Sequence, residues 1–215
     1  MLWSVVGSVV VSILDRVLER SGLYEASRRL IGARNEMRRL VDEVVRPQPG
    51  KRLLDFGCGN GRLVPFVPQV EYVGVDGNAG YIDAARGEYG SPSVEFICGD
   101  LLNLGSLGIE PIDVVVSIGV LHHLDDEVAE AALRSALAIL RPGGRLITMD
   151  PCFEPSQHSM ARVLMALDRG RFVRHPADYQ RLVERAGGSV TQEIWHDIYR
   201  FPYTHCIQVG PATPS

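Results

Sequence analysis

The stretch LLDFGCGNG, residues 53–61, constrains the fold of this chain more than any other. An apolar, β-prone run ends in an acid and passes at once into three alternating glycines. Such a run reads as a strand meeting a tight turn, because glycine adopts backbone angles that side chains resist. The next run, RLVPFV (62–67), places the glycines at a strand-to-helix turn, where backbone amides can approach a bound group. Open α/β sheets bind ligands at the carboxyl ends of their strands, which is where this loop falls. The competing reading is a bare turn.

The rest of the chain repeats the same alternation. Strands are expected at RLLDF (52–56), EYVGV (71–75), VEFIC (94–98), DVVVSI (113–118) and RLITMD (145–150). Amphipathic segments separate them; in EVAEAALRSALAIL (127–140), Leu133, Leu137 and Leu140 share a face, and Pro142-Gly143-Gly144 end the run. Strand alternating with helix implies a parallel sheet covered on both faces, the doubly wound α/β class. Two late runs, 190–199 and 205–210, separated by a short turn, suit an antiparallel hairpin at the sheet edge. Upstream, apolar positions from Ile13 to Val44 recur at helical spacing until RPQPG (46–50) stops them.

With 46% apolar and 22% charged residues in 215, the chain has enough material for one domain with a sizeable core. A net charge of −4 lacks the basic excess of a nucleic-acid binder, so no nucleic-acid partner is expected. Four dispersed cysteines without paired histidines argue against a metal site and a disulfide framework, and suit a reducing cytoplasm. The first 14 residues are apolar but fall short of the about 20 that a membrane span needs. They read as a helix or arm packed on the domain, with a lid or a peripheral membrane contact as the sharper alternative.

A second acid adds to the loop. Asp76 ends the second strand, 19 residues after Gly57, where a carboxylate can accept from ribose hydroxyls. A nicotinamide oxidoreductase would use the same pair. The spacing here, however, is G-x-G-x-G, not the G-x-G-x-x-G of the dinucleotide fingerprint.

LLDFGCGNG, GVDGNAGYIDAAR (74–86), FICGDLLNL (96–104), IDVVVSIGVLHHL (112–124) and LRPGGRLITMD (140–150) together resemble the motifs of the class I S-adenosylmethionine-dependent methyltransferases, in order. The resemblance implies S-adenosylmethionine as cofactor and a seven-stranded sheet in the order 3-2-1-4-5-7-6 with strand seven antiparallel. It implies that Asp55, Gly57, Cys58, Gly59 and Gly61 border the methionine part of the cofactor. Asp76 would hold the ribose, with Gly77 and Asn78 near the adenine. Asp100 would accept from the adenine amino group and Leu101 would pack on the ring, while Ser117 and Ile118 would touch the cofactor through their backbone.

The acceptor side carries fewer signals. His122 and His123 follow the fourth strand, and a histidine there can act as general base near neutral pH; as family scaffolding they would do nothing chemical. Neither an N/D-P-P-Y signature nor a paired-glutamate loop is present, which sets the chain apart from amino-methylating DNA enzymes and protein arginine methyltransferases. Between 162 and 174, Arg162, Arg169, Arg171 and Arg174 surround the single acid Asp168. Planar guanidinium forks suit phosphate or carboxylate, so these arginines are candidate substrate clamps, or else a solvated helix face. Tyr179, Tyr199, Tyr203 and His205 complete the candidate substrate pocket.

The expectation is a single domain with a helical cap (1–45), a cofactor core (51–150), a substrate cap (151–188) and a closing hairpin (189–210). Its acceptor would be a small anionic or amphipathic metabolite, a prenyl diphosphate among the candidates. Two readings compete: a nicotinamide-dependent oxidoreductase, and a non-catalytic module that binds S-adenosylmethionine without turning it over.

Overall fold

The computed structural model describes residues 33–159, 161–162, 171–196 and 203–211. Seven strands form one sheet in the order β3-β2-β1-β4-β5-β7-β6. They are β1 (Arg52–Phe56), β2 (Glu71–Asp76), β3 (Val94–Cys98), β4 (Ile112–Ile118), β5 (Leu140–Pro151), β6 (Thr191–Trp195) and β7 (His205–Pro211). The first five pair in parallel, and β7 runs antiparallel to both β5 and β6. The order and the reversed β7 are those expected from the motifs. The helices are α1 (Ala33–Leu40), α2 (Ala79–Tyr89), α3 (Asp126–Ala138) and α4 (Pro176–Arg185).

Central strands read as unbroken apolar runs because both faces are covered. Along β1 the side chains alternate between two cores. Leu53 joins Leu40, Val45, Tyr72, Phe96 and Trp195 on one face, while Leu54 joins Val73, Leu133, Leu146, Tyr179 and Leu182 on the other. The first face is therefore closed by α1, the turn after it and α2, whose Ile82 and Ala85 join that core, and the second by α3 and α4.

The fifth strand begins earlier than its pattern suggests. Ile112 pairs with Leu140 and Val114 with Arg145, so Arg141 to Gly144 bulge out of the ladder instead of preceding the strand. At this amino-terminal edge Asp113 gathers Lys51, Arg141 and the backbone N–H of Arg52. Arg145 donates to the carbonyls of Val44 and Val45, capping the helical segment that leads into β1. No helix among the described residues is long and apolar enough to cross a membrane. The apolar segment 1–14, Arg169 and Tyr199 lie outside the described residues.

Candidate active site

The glycine loop leaves β1 at the point where the strand order turns from β1-β2 to β1-β4, the crevice that α/β sheets offer to ligands. Gly57, Gly59 and Gly61 all have positive φ, at 76°, 53° and 77°. They do different jobs. A Cβ on Gly57 would lie 2.5 Å from a Val120 methyl, so this glycine lets the loop pack against the end of β4. A Cβ on Gly59 would meet nothing within 4 Å, so this one borders open space.

Asp76 ties the loop to β2. One carboxylate oxygen accepts from the N–H of Gly59 at 3.0 Å and the other from Asn78 at 2.8 Å. Two bonds leave the remaining lone pairs of an ionised carboxylate for further donors. Asn78 caps α2 by accepting from Gly80 and Tyr81, at 2.9 and 3.3 Å. Gly77 is also open, with nothing closer to its would-be Cβ than the Gly99 carbonyl at 3.9 Å. Asp100 accepts from Leu102 at 2.9 Å and caps the short helical turn that holds the partly buried Leu101.

Asp55 is buried beneath the loop, and its carboxylate accepts from the Tyr72 hydroxyl at 2.6 Å. Burial pushes its carboxyl up to about 7, against the lowering effect of the Tyr72 bond and with help from Asp76. Cys58 is buried as well, and burial pushes its thiol above the ordinary range. Tyr72 was not singled out in the sequence, although its position in β2, paired with Leu53 of β1, sets it beside the acid.

Across the crevice, Ser117 and Ile118 end β4 opposite Thr148 and Met149. Ser117 is buried, and Ile118 is half-buried against the α1 core. His122 is buried, whereas His123 is exposed, their rings 4.0 Å apart. Nδ1 of His122 lies 2.8 Å from Asp150, whose same oxygen accepts the His122 backbone N–H at 3.1 Å. Asp150 is a residue the sequence reading passed over. The signal was an acid at the end of β5, level with the residues that follow β4.

Two expected substrate contacts are corrected by the structure. Arg174 is no clamp, because its guanidinium is consumed inside the protein. It donates to Leu121, Phe172 and Leu124 carbonyls at 2.8, 2.9 and 2.6 Å and pairs with Asp126 at 2.8 Å. Tyr179 is likewise buried, its hydroxyl donating to the Pro151 carbonyl at 3.0 Å. Burial drives that phenol well above its ordinary range. Arg162 and Arg171 are exposed. His205 is buried in β7 opposite Pro151, with the half-buried Tyr203 ring 5.1 Å away. The segment after β5 does reach the crevice: Phe172 donates its N–H to the His122 carbonyl at 3.0 Å.

Residues 53–144 match the family model described as a methyltransferase domain. Over these residues the chain matches a methyltransferase domain, and its sheet is the Rossmann-like sheet of S-adenosylmethionine-dependent methyltransferases. A tRNA (carboxymethyluridine(34)-5-O)-methyltransferase of Saccharomyces cerevisiae is 33% identical over 125 residues, 57% of this chain and 43% of that protein. A TehB-like S-adenosylmethionine-dependent methyltransferase from Corynebacterium glutamicum superimposes with a TM-score of 0.65 at 20% identity, over 91% of this chain and 99% of the other. A structure described as the complex between the Haloferax volcanii Trm112 methyltransferase activator and the putative methyltransferase gives 0.71 at 17% identity, over 92% of this chain and 96% of the other. The first curated relatives are spanned by this chain over 43 to 61% of their length.

S-adenosylmethionine is the cofactor of this family, and the cradle fits it. Open space beside Gly59 and Gly77 lets a ligand approach the backbone, and Asp76 stands between them with accepting capacity to spare.

Proposed function

We propose that this chain transfers a methyl group from S-adenosylmethionine to a small anionic or amphipathic acceptor held over the carboxyl ends of β4 and β5. The cofactor supplies an electrophilic methyl group on a sulfonium, whose bond pair leaves with sulfur. The protein's part is to bind, align and exclude water, and alignment alone can contribute about 7–11 kcal/mol. In this reading Gly57, Gly59 and Gly61 shape the floor and Asp76 takes the ribose. Asp100 offers its remaining oxygen to the adenine, and His122 accepts the acceptor's proton.

The observation that carries the reading is the pair of open glycines, Gly59 and Gly77, with Asp76 bonded to the first and directly preceding the second. The net charge of −4 and the exposed Arg162, Arg171 and Phe172 beyond β5 favour a small acceptor with an anionic head and an apolar part. An RNA acceptor is the second reading, favoured by the name of the yeast relative.

Calorimetry tests the cofactor. S-adenosylmethionine is expected to bind the wild type, and Asp76→Ala to weaken it roughly 10- to 100-fold. Equal affinity in both would remove Asp76 from the site, and binding of a nicotinamide cofactor instead would restore the oxidoreductase. Transfer of a tritiated methyl group to unfractionated tRNA, or to an extract of small metabolites and lipids, separates the acceptor readings. Binding without transfer to either pool would favour the non-catalytic module.

A further inference from the structure

We propose that Asp150 is a positioning residue that fixes the tautomer of His122, so that Nε2 carries the lone pair facing the acceptor. The inference rests on the methyltransferase reading above and deepens it.

Four observations converge on this pair. The side chains are 7% and 2% exposed, so the contact forms away from competing water. One oxygen of Asp150 receives both the backbone N–H of His122 and its Nδ1, which fixes where the ring starts and how it is turned. A carboxylate can only accept from a neutral ring, so Nδ1 must be the protonated nitrogen and Nε2 the bare one. The other oxygen of Asp150 is buried without a hydrogen-bond partner among the described residues. A carboxylate left half-satisfied in a dry site is costly for stability alone.

The surroundings hold the pair in place. Arg174 ties down the carbonyls of Leu121 and Leu124 on either side of the histidines, and Phe172 binds that of His122 itself. Gly119, with φ 68°, turns the chain there and donates to Met149, the neighbour of Asp150. Val120 meanwhile packs on Gly57 of the cofactor loop, two residues from the ring. A bare Nε2 at this mouth can take the proton that an acceptor hydroxyl or acid loses as it is methylated. The ring then becomes a cation beside the Asp150 anion, so the pair passes from one net negative charge to none, and the proton leaves later to solvent.

The test uses the full chain with 15N-labelled histidine, Asp150→Leu as the variant, and His122→Gln to assign the ring signals. In the wild type, the neutral ring is expected to show protonated Nδ1 and bare Nε2 as a single species. In Asp150→Leu it should fall to the tautomer mixture of free imidazole, while thermal melting confirms that the variant is folded. Saturating S-adenosylmethionine should shift the Nε2 resonance of the wild type, which a histidine serving only to pack would not show. An Nε2-protonated wild-type ring, or an unchanged tautomer in folded Asp150→Leu, overturns the inference. Should Asp150→Leu not fold, Asp150→Ala, which likewise offers Nδ1 no acceptor, replaces it, and a single tautomer with bare Nε2 at unaltered occupancy and unaltered response to S-adenosylmethionine would overturn the inference equally. Cofactor binding by calorimetry with an unmoved Nε2 overturns it alone, whereas absence of cofactor binding removes the methyltransferase reading beneath it.

Discussion

The two sides of the crevice are built by different means. The cofactor side, from the glycine loop to Asp100, is held by backbone turns and side chains that bond a few residues away or across the β1–β2 pair. The acceptor side is held by contacts from far along the chain. Arg174 reaches back to Leu121, Leu124 and Asp126, and Asp150 to His122. One side is assembled by local geometry, and the other only once the domain has closed. Damage should therefore spread differently from each.

The largest effect is expected at Arg174. Arg174→Ala strands three carbonyls, while Asp126 keeps Arg185 and water, and should cost about 3 kcal/mol in urea denaturation. Arg174→Lys should recover only part, because three donors on one nitrogen cannot span the four partners that the guanidinium reaches. A loss under about 0.5 kcal/mol, the level of an ordinary surface change, would show that the guanidinium is not what joins the two segments.

The glycines come next, and they break the comparison from the other side. Gly57→Ala combines φ 76° with a 2.5 Å approach to Val120, and should cost about 2 kcal/mol. Gly59→Ala carries only the backbone strain, about 1 kcal/mol, yet its methyl enters the open cradle. It should lose more S-adenosylmethionine affinity per unit of stability than any change at Arg174. If calorimetry ranks the two the other way, Gly59 does not line the cofactor.

The pH effects come last, and they have opposite signs on the two sides. Asp55 has its native carboxyl raised to about 7, above the unfolded value, so between about 4 and 7 the native state holds more protons. Its contribution is full below that window and is lost as pH rises through it. Asp126 is lowered, first by its bond to Arg174, so its contribution is present at neutral pH and is lost on acidification. It is 64% exposed, which keeps that contribution small. Melting curves from pH 2 to 8 should flatten for Asp55→Asn between about 4 and 7, and for Asp126→Asn below about 4. Parallel wild-type and Asp55→Asn curves would mean that the Tyr72 bond outweighs burial.

The same contrast explains what could be read from the chain. The strands, the hairpin and the loop over Gly57 to Gly61 follow from apolar runs and glycine spacing, which act over a few residues, whereas the order of the strands came with the motif resemblance. Arg174 was misjudged because a guanidinium in a sequence carries no sign of whether it faces solvent or three carbonyls. Tyr179 was misjudged for the same reason: its hydroxyl finds Pro151, 28 residues away, only after α4 has packed on the sheet. Asp55 shows that a motif position leaves unsaid where the carboxyl points, here inward to Tyr72 on the next strand.

The uneven burial of the thiols has a practical use. Of the four cysteines, Cys58, Cys152 and Cys206 are buried and Cys98 alone is exposed, at the end of β3. Its sulfur lies 3.8 Å from the Gly77 carbonyl, on the rim of the cradle. A maleimide fluorophore added to the unaltered protein should therefore attach at one place and report occupancy of the cradle as a change in emission. No engineered label would be required.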